Sequence, residues 1–373
     1  MVCFGSCCHR LVALIGVLLI QMGSAEALDP FTIVVMPDTQ KYVELHNGGL
    51  ENQTQWIRAN LEELNCKFVV HVGDIVQNPG NEAEWQVASK AFKFLDGAVP
   101  YAFSVGNHDM VVSSRDKAHF HQYFPLSRFE SQPTYGGSQS KQADNTYHLL
   151  DVGHLKFMIL SIDYQPSEAT LAWANETLQA HPDRRVIVNT HSYLVVNERS
   201  ADGQRIWESF VRKHANVFMV LCGHLSVGRR VARGNHGNTV HEILANYQGL
   251  DHGGNGWLRL MRFVPSGNRI EVSTYSAKFN RLMAEGDPKW SRLADNHFLI
   301  PYLMDEVTEP SVTAFKALPE VALSESPPLR AVVNSVRKVW DQSPHNAFTD
   351  LVRFENKPKN VNGHSGTCGF GRR

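Results

Sequence analysis

The chain has 373 residues, 43% of them hydrophobic and 20% charged, which excludes a disordered, collagen-like or disulfide-dense miniprotein. Its 36 Lys+Arg against 37 Asp+Glu leave a net charge of −1. Proteins built on phosphate-backbone contacts carry a basic excess, so no nucleic-acid surface is evident. Histidine, the commonest metal ligand, occurs 18 times.

The amino terminus reads as a targeting signal. His9 and Arg10 precede residues 11–20, which lack any polar side chain, and Ala25-Glu26-Ala27 has the small-x-small spacing of a cleavage site. That apolar run is short of the roughly 20 residues a membrane span needs. Residues 1–27 are therefore expected to be a signal peptide and the protein to be secreted or exported. No later segment has the length or apolarity of a transmembrane helix. Cleavage would remove Cys3, Cys7 and Cys8 and leave Cys66, Cys222 and Cys368, in no zinc-ribbon or CxxC spacing. Cys66 precedes one expected strand and Cys222 ends another; in a parallel sheet the two lie at opposite ends and do not bridge. Asn52 and Asn175 each open a glycosylation sequon.

From residue 31 short apolar runs alternate with helical patterns. Strands are expected over 31–36, 68–72, 101–105, 146–150, 156–162, 185–189 and 217–221. Helices are expected over 53–64, with Ile57, Leu61 and Leu64 on one face, and over 81–95, with Trp85, Ala88, Phe92 and Leu95. Two more follow over 166–180 and 205–214. The closing part, 228–231, 239–247, 257–263 and 269–275, is strand and turn, and the glycine-rich 247–256 loop lies within it. Strands alternating with helices imply a mostly parallel sheet, and the closing run of strands a second, antiparallel-rich one. The expected architecture is an α/β fold, a two-sheet sandwich with helices on the outer faces, over residues 28–300. Pro301, Pro310, Pro319, Pro327, Pro328 and Pro344 punctuate residues 301–373, read as a tail that wraps the domain or is partly disordered.

Polar residues fall at chosen places on this frame. Asp38-Thr39-Gln40, Gly73-Asp74, Gly106-Asn107-His108-Asp109, Thr190-His191-Ser192 and Gly223-His224-Leu225-Ser226 each follow an expected strand. In open α/β sheets the carboxyl ends of strands are where ligands bind. Singly, Asp38 could cap a helix and Gly73-Asp74 could be a turn. Together, Asp38, Asp74, Asn107, His191 and His224 present two carboxylates, an amide oxygen and two imidazoles, a donor set that suits a pair of transition metals.

These motifs resemble those of the calcineurin-like metallophosphoesterase superfamily over residues 31–275, and Gly106-Asn107-His108-Asp109 is the most specific of them. The resemblance implies a small phosphoester substrate and two divalent or trivalent metal ions (Mn, Fe, Zn or Mg). Asp74 would bridge them. Asn107, His191 and His224 would complete one site and Asp38 would belong to the other. It implies hydrolysis of a phosphate mono- or diester by a hydroxide that the metal pair activates, with His108 assisting the leaving group and Asp109 orienting His108. Two positions depart from the pattern. Gln40 and Ser226 stand where the family usually has histidine; both can donate oxygen, so the Asp38 site would keep Asp38, the shared Asp74 and these two weaker metal ligands, and is expected to be the weaker and to favour Mn or Mg over Zn. His119, His121 and His252 are candidates to fill the gap. Ile75-Val76-Gln77 lacks the tyrosine that purple acid phosphatases carry after Gly-Asp. The protein is expected to be a monomer. The alternatives are a catalytically impaired metal- or ligand-binding member of the same fold, and a secreted interaction protein in which the tail matters most.

Overall fold

The computed structural model describes residues 28–304, apart from 285 and 288–291. Its strands in chain order are β1 (Phe31–Met36), β2 (Cys66–His71), β3 (Tyr101–Phe103), β4 (Tyr135–Ser138), β5 (Thr146–Val152), β6 (Leu155–Ser161), β7 (Arg185–Asn189) and β8 (Leu194–Val195). They continue as β9 (Glu198–Arg199), β10 (Val217–Cys222), β11 (Val227–Arg233), β12 (Thr239–Ala245), β13 (Trp257–Val264), β14 (Arg269–Ser276), β15 (Arg281–Leu282) and β16 (Phe298–Pro301). One large sheet has the order β15-β14-β13-β1-β2-β3, with β16 also on β14; the other large sheet runs β11-β12-β10-β7-β6-β5-β4, and β8 and β9 form a separate two-stranded pair.

This is a two-sheet α/β sandwich, and the alternation along β1 shows how it is built. Phe31, Ile33 and Val35 point between the sheets onto Phe68, Phe157, Ile159 and Phe263. Val34 and Met36 point the other way, onto Ile57, Trp85 and Phe92 of the helices Gly49–Ala59 and Glu82–Phe92. On the second sheet, Met158, Leu160, Val186 and Val188 meet Leu171, Leu178, Ile206 and Trp207 of the helices Glu168–Gln179 and Ala201–Ser209. Side-chain caps start three of these helices: Asn81 accepts from the Ala83 N–H, Ser167 from that of Thr170, and Ser200 from that of Gly203. The helix expected over 205–214 thus begins earlier and ends at Ser209, before a short 3-10 turn, Val211–Lys213.

Strand partnership differs from expectation. The closing strands do not form a sheet of their own: β11 and β12 extend the sheet of β10, whereas β13 pairs with β1 and β14 with β13. Both sheets are therefore mixed. β1 pairs parallel with β2 and antiparallel with β13. A wholly apolar strand such as FTIVVM accepts a neighbour on each side, and nothing in its own residues says which. The parallel strands β1, β2 and β3 of one sheet and β7 and β10 of the other end at the same place, and the site lies there.

The packed domain runs past residue 300. Tyr302 stacks on Phe218 with ring centroids 4.2 Å apart, Met304 is buried, and Arg185 donates to the Met304 carbonyl. The signal peptide over 1–27 and most of the tail lie outside the described residues. Cys66 and Cys222 are free thiols in different sheets. The Asn175 side chain is engaged in the fold, donating to the Leu171 carbonyl and holding the His214 ring at 2.7 Å, whereas Asn52 is exposed. Among the described residues no helix is long and apolar enough to cross a membrane.

Candidate metal centre

The five strand-end motifs converge. Asp38, Gln40, Asp74 and His191 are all buried. The His191 Nδ1–H donates to the Val72 carbonyl (2.9 Å), which turns Nε2 toward Asp74 Oδ2 at 3.2 Å and Asn107 Oδ1 at 3.0 Å. The His224 ring lies 5.0 Å from the His191 ring. One donor atom each from Asp74, His191 and His224 falls within 4.8 Å of the others. A carboxylate, two imidazoles and the Asn107 amide oxygen fit a borderline divalent ion.

Backbone geometry is specialised around this cluster. Asp74 (φ 57°) and His224 (φ 74°) are in the left-handed region, where non-glycine residues are uncommon and cluster at functional sites. A Cβ on Gly106 would collide with the Asp74 carboxylate, and one on Gly223 with that of Asp38. Here glycine permits the backbone to approach the acidic groups.

On the Asp38 side the donors differ. The Asp38 carboxylate accepts from the His224 N–H at 3.0 Å and from Asn246 Nδ2 at 3.0 Å. Gln40 Nε2 donates to Asp74 Oδ2 at 3.0 Å, so Gln40 is at the cluster. Ser226 follows His224 closely, but among the described residues its hydroxyl bonds to none of Asp38, Gln40 or Asp74. The three substitute histidines are elsewhere. His119 is held by the Pro79 carbonyl, His121 faces Asp144 at 3.6 Å, and His252 is exposed on the glycine-rich loop.

The polypeptide's charges reflect burial and crowding. Burial raises the Asp38 carboxyl well above the usual carboxylate range; His191 opposes the shift and Asp74 adds to it. Burial would lower His191, but the Asp74 charge and hydrogen bond outweigh it and raise its pKa to about 9. Asp74 is held low by His191 despite its burial. His224 falls to about 4, through burial and then the His191 charge. His191 thus carries the positive charge that answers Asp74, the place a cation would take.

The Gly-Asn-His-Asp motif divides its work differently from expectation. Asp109 does not orient His108. It accepts from the N–H groups of Ile75 (2.7 Å), Val76 (3.1 Å) and Gly106 (2.8 Å), and so clamps the loop after Asp74 to the loop after β3. The reason is position: Asp109 is buried behind both loops, and its two oxygens are taken. His108 is oriented by the Gln77 carbonyl, 2.8 Å from its Nδ1, while its N–H donates to Asp74 Oδ1. Among the described residues His108 Nε2 carries no hydrogen bond.

Two contributors had no sequence signature. His71, buried, links both acidic loops: its Nδ1 accepts from the Gly73 N–H (3.1 Å) and its Nε2 lies 2.9 Å from Thr39 Oγ1. Tyr164 brings its ring to 6.0 Å from His191 and 5.8 Å from His224, and its N–H is fixed on the Val105 carbonyl.

Comparison with known proteins gives the same assignment. The family model "Calcineurin-like phosphoesterase" matches residues 31–228. The chain is 36% identical over 259 residues to the uncharacterized protein YvnB of Bacillus subtilis, covering 67% of this chain but only 20% of that relative. The structure of a purple acid phosphatase from yellow lupin (Lupinus luteus) seeds aligns with TM-score 0.50 at 13% identity, over 80% of this chain and 58% of that one, which shows the fold. A dimetal phosphatase from Danio rerio aligns with TM-score 0.48 at 14% identity, over 67% and 97%. With more than half of its residues under that family model, the chain belongs to the calcineurin-like phosphoesterase family.

Proposed function

We propose that this chain is a metal-dependent phosphoesterase, hydrolysing a small phosphate mono- or diester, and that it works outside the cytoplasm if residues 1–27 are a signal peptide. The observation that carries the reading is the convergence of Asp74, His191 and His224 with Asn107, beside a His108 whose Nε2 has no hydrogen bond among the described residues. Asp74, Asn107, His191 and His224 would hold the tighter metal; Asp38, Gln40 and the shared Asp74 would hold the weaker. When bound, the metals supply Lewis acidity toward the phosphoryl oxygens and an activated water.

The chain's own residues do the rest. His191 presents Nε2 because Val72 takes its Nδ1–H, so proton and ligand roles are divided between the two nitrogens. Asn107 is placed by the loop that Asp109 clamps. The Gln77 carbonyl fixes the His108 tautomer with the proton on Nδ1, which leaves Nε2 to hold or deliver a second proton at the leaving oxygen. Tyr164 forms a wall beside the two histidines and would contact the ester's organic group.

The test is hydrolysis of p-nitrophenyl phosphate and bis(p-nitrophenyl) phosphate by the purified protein with and without Mn, read together with metal content. Asp74→Asn should abolish both turnover and tight metal. His108→Ala should lower turnover by about 10²–10⁴-fold with metal content intact. Bound metal without turnover on any ester would favour the impaired binding protein instead.

A further inference from the structure

The weaker site has two carboxylates and one amide but no histidine. We propose that Gln248 is its missing donor: with Asp38, Asp74 and Gln40 it completes an all-oxygen second cation site, and Ser226 stays outside it. The inference rests on the metal-centre reading above.

Gln248 comes from the glycine-rich loop after β12, and Asn246 carries it to the site. The Asn246 Oδ1 accepts from the Gln248 N–H at 2.9 Å, while its Nδ2 donates both to Asp38 Oδ2 at 3.0 Å and to the His224 carbonyl at 2.9 Å. The Gln248 backbone is thereby tied to the Asp38 carboxylate, and its Nε2 lies 3.4 Å from Asp38 Oδ2. Gln40 repeats the arrangement on the other carboxylate, with Nε2 3.0 Å from Asp74 Oδ2. In both residues the amide oxygen is buried and has no hydrogen-bond partner. Buried polar atoms are seldom left so, and each such orphan asks for an explanation.

A cation supplies one for both. Half a turn about the terminal torsion of each glutamine exchanges Nε2 for Oε1 and turns a donor facing a carboxylate into a second oxygen ligand beside it. Two carboxylates and two amide oxygens form a hard donor set, suited to Mn, Mg or Ca and poor for Zn. Ser226 has no comparable link. Its hydroxyl bonds to none of these groups among the described residues, and its carbonyl is taken by the Asn246 N–H.

The experiment is a Mn titration of the chelator-stripped full chain, with free Mn read by electron paramagnetic resonance and folding by circular dichroism. Two phases are expected for the wild type. Gln248→Ala should weaken the second by about 10–100-fold and leave the first. Gln248→Glu, which adds charge, should tighten the second, and Ser226→Ala should change neither. The inference is overturned if Gln248→Ala keeps both phases, if Ser226→Ala loses the second, or if the folded wild type binds only one ion. A wild type that binds no Mn, Zn or Fe at all would instead overturn the metal-centre reading itself. If Gln248→Ala does not fold, Gln248→Glu decides: an unchanged second phase counts against the proposal.

Discussion

Replacing His71 with leucine tests whether the two acidic loops are held from behind. His71 is 1% exposed, between the edges of Phe92 and Phe103, so leucine fills a similar apolar space. It removes both hydrogen bonds and leaves the Gly73 N–H and the Thr39 hydroxyl without that partner. The Gly73 N–H so orphaned costs about 1–3 kcal/mol, whereas the Thr39 hydroxyl keeps the Ile75 carbonyl at 3.5 Å. Leucine also removes the penalty of burying an imidazole, so a net loss of about 1–2 kcal/mol is expected, or roughly 2–8 °C in Tm for a domain of this size. The pH dependence adds a second readout. Burial, reinforced by the His191 charge, holds the His71 pKa down at about 3. A depressed folded pKa contributes stability that is present above the unfolded value near 6.5 and is lost as pH falls toward 3. The leucine variant lacks this contribution, so its Tm deficit should narrow between pH 6.5 and 4. The assays are thermal melts across that range and a metal titration at pH 7, where the tight site should weaken about tenfold or more. An unchanged Tm with unchanged metal affinity refutes the reasoning.

Other residues have separable signatures. Gly106→Ala, whose methyl would strike Asp74, should lower Tm and tight-metal affinity together, measured by melting and metal content. Because His191 is raised to about 9, its stabilisation of the polypeptide is complete below pH 6.5 and is lost as pH rises through 9. Metal must displace that proton, so calorimetric affinity should rise by about tenfold per pH unit between 7 and 9 and then level off. Arg199→Ala leaves Glu242 fully buried without its main cation and should cost about 3–5 kcal/mol in chemical denaturation. Tyr164→Ala should raise KM for aryl esters with metal content unchanged; an unaltered KM would exclude the ring from the substrate's path.

The fold and half of the candidate site were legible because their signals are local. FTIVVM reads as a buried strand wherever it pairs, and Asn107 and His108 follow a strand within one short motif. Gln40 also announces itself, standing two residues after Asp38. What stayed hidden depends on contacts across the chain. Asp109 looks like a partner for its neighbour His108, yet its Oδ1 reaches back to Ile75 and Val76, more than thirty positions away. Asn246 and Gln248 meet Asp38 from about 210 positions away, and the strand before them ends in Ile243-Leu244-Ala245 with no motif that points to a site. The division of the closing strands between two sheets was hidden for the same reason, since hydrophobic alternation records which face is buried and not which strand lies alongside.

The two halves of the centre differ because the two sheets supply different chemistry. His191 and His224 stand at the ends of β7 and β10, in one sheet; Asp38 and Asp74 stand at the ends of β1 and β2, in the other. An ion held by Asp74, His191 and His224 therefore spans the interface between the sheets, and its binding energy adds to the apolar contacts of Phe31, Phe157 and Phe263 that close the same interface farther from the site. The Asp38 half draws its carboxylates from one sheet, but Asn246 and Gln248 reach it from the loop after β12 in the other, so an ion there would also lie between the layers and would be held by oxygen donors alone. Loss of the softer, imidazole-bound ion should then loosen the sandwich. Loss of the harder one should loosen it less, because neutral amides replace the imidazoles there. That difference in donors, two imidazoles against two amides, would make one proposed site tight and the other weak without appeal to the substrate. On the proposed reading, the departures at positions 40 and 226 amount to a change of donor type in one half of the centre, with Asp74 and the imidazole half left intact.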